Sequence, residues 1–313
     1  MVATGDSLYY NSHTGRSAPE AWRAGNPPTN LCWISVGEQG ESRGFRLQLT
    51  FWGVRGSTPT PREDYLGFGG NTSCLEILSA DRRFIFDAGS GIRELGDQLV
   101  LRKDLRIELL LTHFHWDHIQ GLPFFAPLFQ PEAHVSFYTE KDLTAIKETL
   151  EGQMARRYFP VPFEAVAARR DYHDLNGESI AAGAARIHSF PLNHPQGACG
   201  YRIEADGAAI VHVTDHEHGN AKIDAGIRDY ASGAQVLIYD AQFTPEEYAS
   251  KRGWGHSTYQ EATRIAQDAG VKQLILFHHD PKHDDSFLLA MLQDAQRQFE
   301  NTQLAQEGWT IRL

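Results

Sequence analysis

Cysteine is scarce in this chain. Cys32, Cys74 and Cys199 are the three in 313 residues, widely spaced and odd in number. They make no disulfide framework, and a reducing compartment fits them, so a cytoplasmic location is expected. Long apolar runs are missing as well: none approaches the ~20 residues a membrane helix needs. The N-terminus has no basic stretch followed by an apolar core, as a secretory signal would. No membrane partner is expected. Positive charge is also short, with 29 Lys and Arg against 40 Asp and Glu, a net of −11. That excludes a surface built to coat nucleic acid, so a nucleic-acid polymer is an unfavoured partner. A small phosphate substrate stays open, because bound metal ions reverse the local sign of a site.

The composition, 41% hydrophobic and 22% charged, is that of a soluble globular protein long enough for a substantial core. Residues 1–45 differ from the rest. They are rich in Gly, Ser, Asn, Pro and Thr, with weak apolar periodicity. They are expected to form a partly disordered N-terminal extension, with one short strand or packing segment over Leu31–Val36. Residues 46–313 are expected to form one domain. Alternation of Leu47, Leu49 and Phe51, then of Cys74–Leu78 and Arg83–Phe86, predicts three antiparallel strands with tight turns. Helices are predicted over Ile92–Arg102, Lys141–Arg156, Thr258–Ala269 and Asp284–Glu300. Between Asp215 and the C-terminus, two more strands and two helices are expected, with a last strand over Trp309–Leu313.

What the chain does have is histidine, 15 in all. The run Leu109-Leu-Leu-Thr-His-Phe-His-Trp-Asp-His-Ile-Gln-Gly121 ends an apolar strand in His113, His115, Asp117 and His118. Imidazole and carboxylate are good donors for zinc, manganese or iron. In extended chain, His113, His115 and Asp117 point to one side and His118 to the other. A loop curling after the strand could therefore feed two adjacent metals. Other apolar runs end in the same way, at Asp87, His194, Asp215, Asp240 and His278. Two face-to-face sheets with helices outside would bring such ends to a shared edge.

These motifs together resemble the metallo-β-lactamase superfamily, whose His-X-His-X-Asp-His signature stands here as His113-Phe-His115-Trp-Asp117-His118. The resemblance covers about residues 46–310. It implies an α/β fold, the αββα four-layer sandwich, with a dinuclear centre at one edge. It implies that His113, His115 and His194 hold the first metal, that Asp117, His118 and His278 hold the second, and that Asp215 bridges them. His279 rivals His278, which is preferred because it directly follows the strand Leu274–Phe277. The two divalent ions expected are Zn2+ or Mn2+, with Fe allowed.

Gly255-His256-Ser257-Thr258 is similar to a His motif of the ribonuclease Z and cyclic-phosphodiesterase branch, where such a His donates a proton to the leaving oxygen. The motifs Phe51-Trp-Gly-Val-Arg-Gly-Ser57 and Gly69-Gly-Asn-Thr-Ser-Cys74 point to that branch too. The long arm expected for gripping tRNA is not seen. The resemblance thus implies a phosphodiesterase of small cyclic nucleotides or cyclic phosphates, working through a metal-bridging hydroxide, with His256 and Asp117 as catalytic residues. A lactonase or thioesterase on the same metals is the alternative, and a homodimer is allowed. Asp87 and Asp240 are candidates for fixing imidazole tautomers. Ser257 or Thr258 at His256's side could instead simply cap the helix that follows.

Overall fold

Residues such as Leu49 and Phe51 on one side of a strand, with Thr50 and Trp52 on the other, need two different environments, and the fold supplies both. The computed structural model describes residues 47–313 apart from positions 80, 81, 101, 103, 141, 142, 176, 178, 184 and 206. The extension over residues 1–45, with Leu31–Val36, lies outside the described residues.

One seven-stranded sheet contains β1 (Gln48–Gly53), β2 (Cys74–Ser79), β3 (Arg82–Phe86), β4 (Arg106–Leu110), β5 (His134–Thr139), β6 (Arg169–Asp174) and β14 (Thr310–Arg312), in the order β14-β1-β2-β3-β4-β5-β6. The other contains β7 (Ser179–Ala182), β8 (Ala185–Leu192), β9 (Ala198–Ala205), β10 (Ala208–Val213), β11 (Val236–Asp240), β12 (Gln273–Phe277) and β13 (Thr302–Leu304), in the order β13-β12-β11-β10-β9-β8-β7. Their inner faces share one core in which Phe51, Phe84 and Phe86 meet Tyr201, Ile238 and Phe277. On the outer face of the first sheet lie α1 (Ile92–Leu99) and α3 (Leu143–Gln153). On that of the second lie α4 (Ala221–Ala231), α6 (Tyr259–Ala269) and α7 (Asp285–Gln298). This is the four-layer αββα sandwich.

The central strands are parallel: β3 to β6 in one sheet, β10 to β13 in the other. Strands buried on both faces read as unbroken apolar runs, which is why Val236–Tyr239 and Leu274–Phe277 show no alternation. Parallel strands also end together, so the residues after β3, β4, β10, β11 and β12 emerge along one edge of each sheet. α6 begins at Thr258, whose hydroxyl accepts from the Glu261 N–H, and stops at Gly270 in the left-handed region at φ 62°.

β6, β7, β13, α4 and the short α5 (Pro245–Tyr248) are additional to the elements expected from the sequence. The region after Asp215 therefore holds more than two strands and two helices before β14. β6 is an edge strand of Arg-Arg-Asp-Tyr-His-Asp with no apolar alternation to reveal it. α4 carries Gly226 and four charged groups among its eleven residues plus an Asn220 cap, a weak helical signal. β13 spans three residues.

The loop after β1 is held by Arg55, whose side chain is fully buried. Its guanidinium donates to the carbonyls of Gly69 (2.7 Å), His283 (2.7 Å) and Tyr65 (3.2 Å), and lies 3.8 Å from Asp285. The arginine therefore stitches the β1–β2 loop to the segment before α7. Arg55→Ala strands these carbonyls without donors, and should lower unfolding stability by about 3–5 kcal/mol. Urea titration of the variant against the parent checks this; a loss under about 1 kcal/mol would contradict the stitching role.

Candidate metal centre

β4 delivers the chain to Thr112, and His113 and His115 follow in extended conformation. α2 (Trp116–Ile119) then begins, with His115 at φ −64°, ψ 154° before it. The alternation expected through Asp117 therefore stops at His115, because the chain turns into a helix there. Asp117 and His118 sit side by side on its first turn. The consequence is a division of the motif. His113 and His115 gather with His194 and Asp215; Asp117 and His118 gather with His278.

Asp215 stands between the two groups. Its Oδ1 lies 3.7 Å from His113 Nε2 and 3.6 Å from His194 Nε2. Its Oδ2 lies 3.0 Å from His118 Nε2 and 3.3 Å from His278 Nε2. Asp117 Oδ2 is 3.4 Å from His118 Nε2 and 3.2 Å from His278 Nε2. His279 turns away, its Nε2 3.0 Å from the Ala305 carbonyl, so of the two neighbours it is His278 that reaches the cluster.

The far nitrogen of each ring fixes its tautomer. His118 Nδ1 donates to Asp87 Oδ2 at 2.7 Å, His278 Nδ1 to Gln242 Oε1 at 2.9 Å, and His194 Nδ1 to the Gly255 carbonyl at 2.8 Å. The Thr112 hydroxyl donates to Asp87 and so accepts from His113 Nδ1 at 3.1 Å. His115 is reversed: Nε2 donates to Gln196 Oε1 at 2.8 Å, leaving Nδ1 bare. Every inward nitrogen is thus a lone pair in the neutral ring. His115 Nδ1 and His194 Nε2 face each other at 3.1 Å, while His113 Nε2 and His118 Nε2 are buried without a hydrogen-bond partner. With the rings neutral, converging lone pairs and carboxylates fit a pair of divalent cations in ligand type and number.

Charge in the metal-free site follows the same logic. Burial alone disfavours ionised Asp117 and Asp215, yet His118 and His278 outweigh it and hold both well below the usual carboxylate range. Burial likewise opposes protonation of His278, but Asp215, Asp117 and Asp240 push it up to about 9. His113 and His194 are pushed down, chiefly by burial.

The backbone is strained at the same place. Non-glycine residues in the left-handed region are Ser57, Asp87, Asp104, Gln196, Asp215 and His278 among those described. All but Asp104 belong to this site or touch it: Ser57 N–H donates to Asp117 Oδ2 at 2.7 Å. Such outliers gather where a functional geometry overrides local preference. Two glycines make room for the rings. A Cβ at Gly56 would lie 2.5 Å from the His278 ring, and one at Gly255 (φ 88°) 2.2 Å from His194 Nδ1.

His256 lies beside the cluster. Its Nδ1 is 2.9 Å from Asp240 Oδ2, which also accepts the Asp215 N–H, while Asp240 Oδ1 accepts the N–H groups of Gln242 and Ser257. Asp87 therefore supports a cluster histidine, His118, whereas Asp240 supports His256. Thr258 does cap α6, so His256 itself has no capping duty. Ser57, Phe114, His115, Trp116, Asp117, Asp215 and His256 line an open cleft of about 480 Å³. Gln196, Gln242, Thr112 and Ser57 escaped the sequence reading. So did Glu217, whose carboxylate accepts the Gly253 and Gly255 N–H groups and the Tyr248 hydroxyl, bracing the His256 loop. The one available signal was position: Gln242 and Glu217 each follow a strand-end aspartate by two residues.

Residues 82–279 match the family model of the beta-lactamase superfamily domain. The chain is 24% identical to a ribonuclease Z of Brevibacillus brevis over 320 aligned positions, covering 85% of this chain and 96% of that one. Among solved structures it is similar to the metallo-beta-lactamase fold protein YhfI of Bacillus subtilis (TM-score 0.68, 19% identity, 85% of this chain and 99% of that one). It is also similar to a diphosphatase of the PhnP family (TM-score 0.64, 20% identity, 86% and 98%).

Stripping divalent ions with a chelator should lower the melting temperature, and Zn2+ or Mn2+ should restore it. Because His278 must lose its proton to bind, metal affinity should rise with pH until about 9 and weaken steadily below. Melting curves with and without metal at pH 6 and pH 8 test this; a metal increment as large at pH 6 would refute it.

Proposed function

The chain belongs to the beta-lactamase superfamily and is a metal-dependent hydrolase, and from that premise we propose that it cleaves small phosphodiesters, foremost cyclic nucleotides or other cyclic phosphates. His256 carries this reading. It lines the cleft with its Nδ1 donating to Asp240, which stabilises the imidazolium form whose Nε2 carries a proton for the leaving group. Acyl hydrolysis of a strained lactone has less need of such an acid.

We assign His113, His115 and His194 to one ion, Asp117, His118 and His278 to the other, and Asp215 to both. Zn2+ and Mn2+ suit this donor set, and Fe is accommodated. When bound, the two ions would acidify water and polarise a phosphoryl oxygen. The rest falls to the protein. Asp117, too weak a base to take a proton outright, accepts a hydrogen bond and orients the attacking water. Its Oδ2 is itself held by the Ser57 N–H. The attacking water gives up one proton to solvent as its oxygen bonds phosphorus, the P–O ester bond opposite breaks, and the leaving alkoxide takes the Nε2 proton of the His256 imidazolium. Asp240 keeps the imidazole aimed throughout. A small substrate suits a cleft of about 480 Å³ on a chain whose net charge of −11 offers no overall attraction to a polyanion.

The test contrasts leaving groups. An alkoxide needs the proton and p-nitrophenolate does not. His256→Ala should cut kcat on a cyclic nucleotide by about 10²–10⁴-fold and act only weakly on bis(p-nitrophenyl) phosphate. Equal losses on both substrates would remove His256 as the acid. Cleavage of lactones but of neither phosphodiester would favour the acyl-hydrolase alternative. Asp215→Ala should lose both metals by elemental analysis while keeping its far-ultraviolet circular dichroism; full metal content would overturn the shared assignment.

A further inference from the structure

Several large aromatics are exposed, Phe124, Tyr158 and Trp254 among them, but of these exposed rings it is Trp116 that lines the cleft. Its side chain is 65% exposed, although it stands between His115 and Asp117 and lines the cleft. Exposure alone says little, but an indole standing beside the cluster's own side chains is placed to meet whatever enters the cleft.

The ring cannot easily turn inward. Trp116 opens α2, its carbonyl accepts the Gln120 N–H at 2.8 Å, and both neighbours are tied. His115 is held by Gln196, and Asp117 by the Ser57 N–H. Rotating the backbone to bury the indole would pull both out of the cluster. The exposure is therefore built into the motif. Phe114, half-buried, lines the same cleft. Two apolar rings thus adjoin a wall that is otherwise His115, Asp117, Asp215, His256 and Ser57.

We propose that Trp116, backed by Phe114, is the specificity residue that stacks a planar ring carried by the phosphodiester, a nucleobase in the first instance. The inference rests on the phosphodiesterase reading above and narrows it to ring-bearing substrates. The phosphate belongs at the charged cluster; a group one sugar away lies over the residue next in sequence to the cluster's own side chains. Stacking on an indole face uses the π-surface that every base has. The site should therefore prefer nucleotides over base-free sugar phosphates, with little choice among bases.

Calorimetric titration of the metal-loaded protein with AMP and with ribose 5-phosphate separates the ring from the phosphate. The parent should bind AMP more tightly. Trp116→Ala should weaken AMP by roughly 5- to 150-fold, the range for one stacked base, and change ribose 5-phosphate little. Trp116→Phe should recover most of the loss. Equal parent affinities for the two ligands, parallel losses of both in Trp116→Ala, or failure of Trp116→Phe to recover binding would each overturn the proposal. So would a changed sedimentation coefficient in Trp116→Ala with AMP affinity intact, which would give the ring to contact with a second copy of the chain. If AMP preference depends on Trp116 but no phosphodiester is cleaved, the stacking role stands and the reaction proposed above falls.

Discussion

Asp215 is the constraint around which the strand-end edge is arranged. It is 1% exposed and cannot be solvated by bulk water. A carboxylate in that position is tolerable only if its surroundings supply positive charge and donors. The Thr214 hydroxyl donates to Oδ2 at 2.8 Å, and four imidazoles surround the remaining lone pairs. In the metal-free protein, protons on His118 and His278 stand in for cation charge. The site therefore exchanges protons for metal, and its occupancy is tied to its charge balance.

That arrangement is affordable because two layers of the fold do different jobs. The parallel strands fix where the chain emerges, through apolar packing that is indifferent to the site. Beyond the strand ends, the outer nitrogens of the rings are anchored by Asp87, Gln242, Gln196 and the Gly255 carbonyl. The left-handed residues Asp87, Asp215 and His278 sit where one layer hands over to the other. A strand continuing in extended conformation would carry its next side chain past the edge. The reversal turns it back across the gap between the sheets. The cost, of order 1–3 kcal/mol per residue, is borne by the core beneath.

Much of this was legible in the sequence, for identifiable reasons. Val236–Tyr239 and Leu274–Phe277 announce themselves because both faces of those strands are buried. His113, His194, Asp215 and His278 are visible because polar residues ending apolar runs are unusual. The resemblance then gave their grouping, which spacing alone could not. What escaped depends on the assembled fold. Gln196 and Gln242 are ordinary polar residues until His115 and His278 are placed against them. Glu217 matters only because α5 and the Gly253–Gly255 turn come to lie over it. β6 was hidden by Arg169, Arg170 and Asp171, charges that an edge strand can carry into solvent. The expectation that Asp117 would alternate with His115 failed because a helix starts between them.

Charge explains why the small-substrate proposal is compatible with distant similarity to a ribonuclease Z. A fold shared at 24% identity does not carry surface charge with it. With −11 overall, the chain's net field does not attract a polyanion, and bound metal ions would supply local positive charge at the cluster. Screening at physiological salt limits that influence to about 8 Å. One phosphate and the sugar attached to it fit inside that radius. A polymer would need cationic side chains along its path to neutralise its further phosphates. Under the proposed reading, recognition beyond the phosphate falls to the apolar rings at the cleft, Phe114 and Trp116.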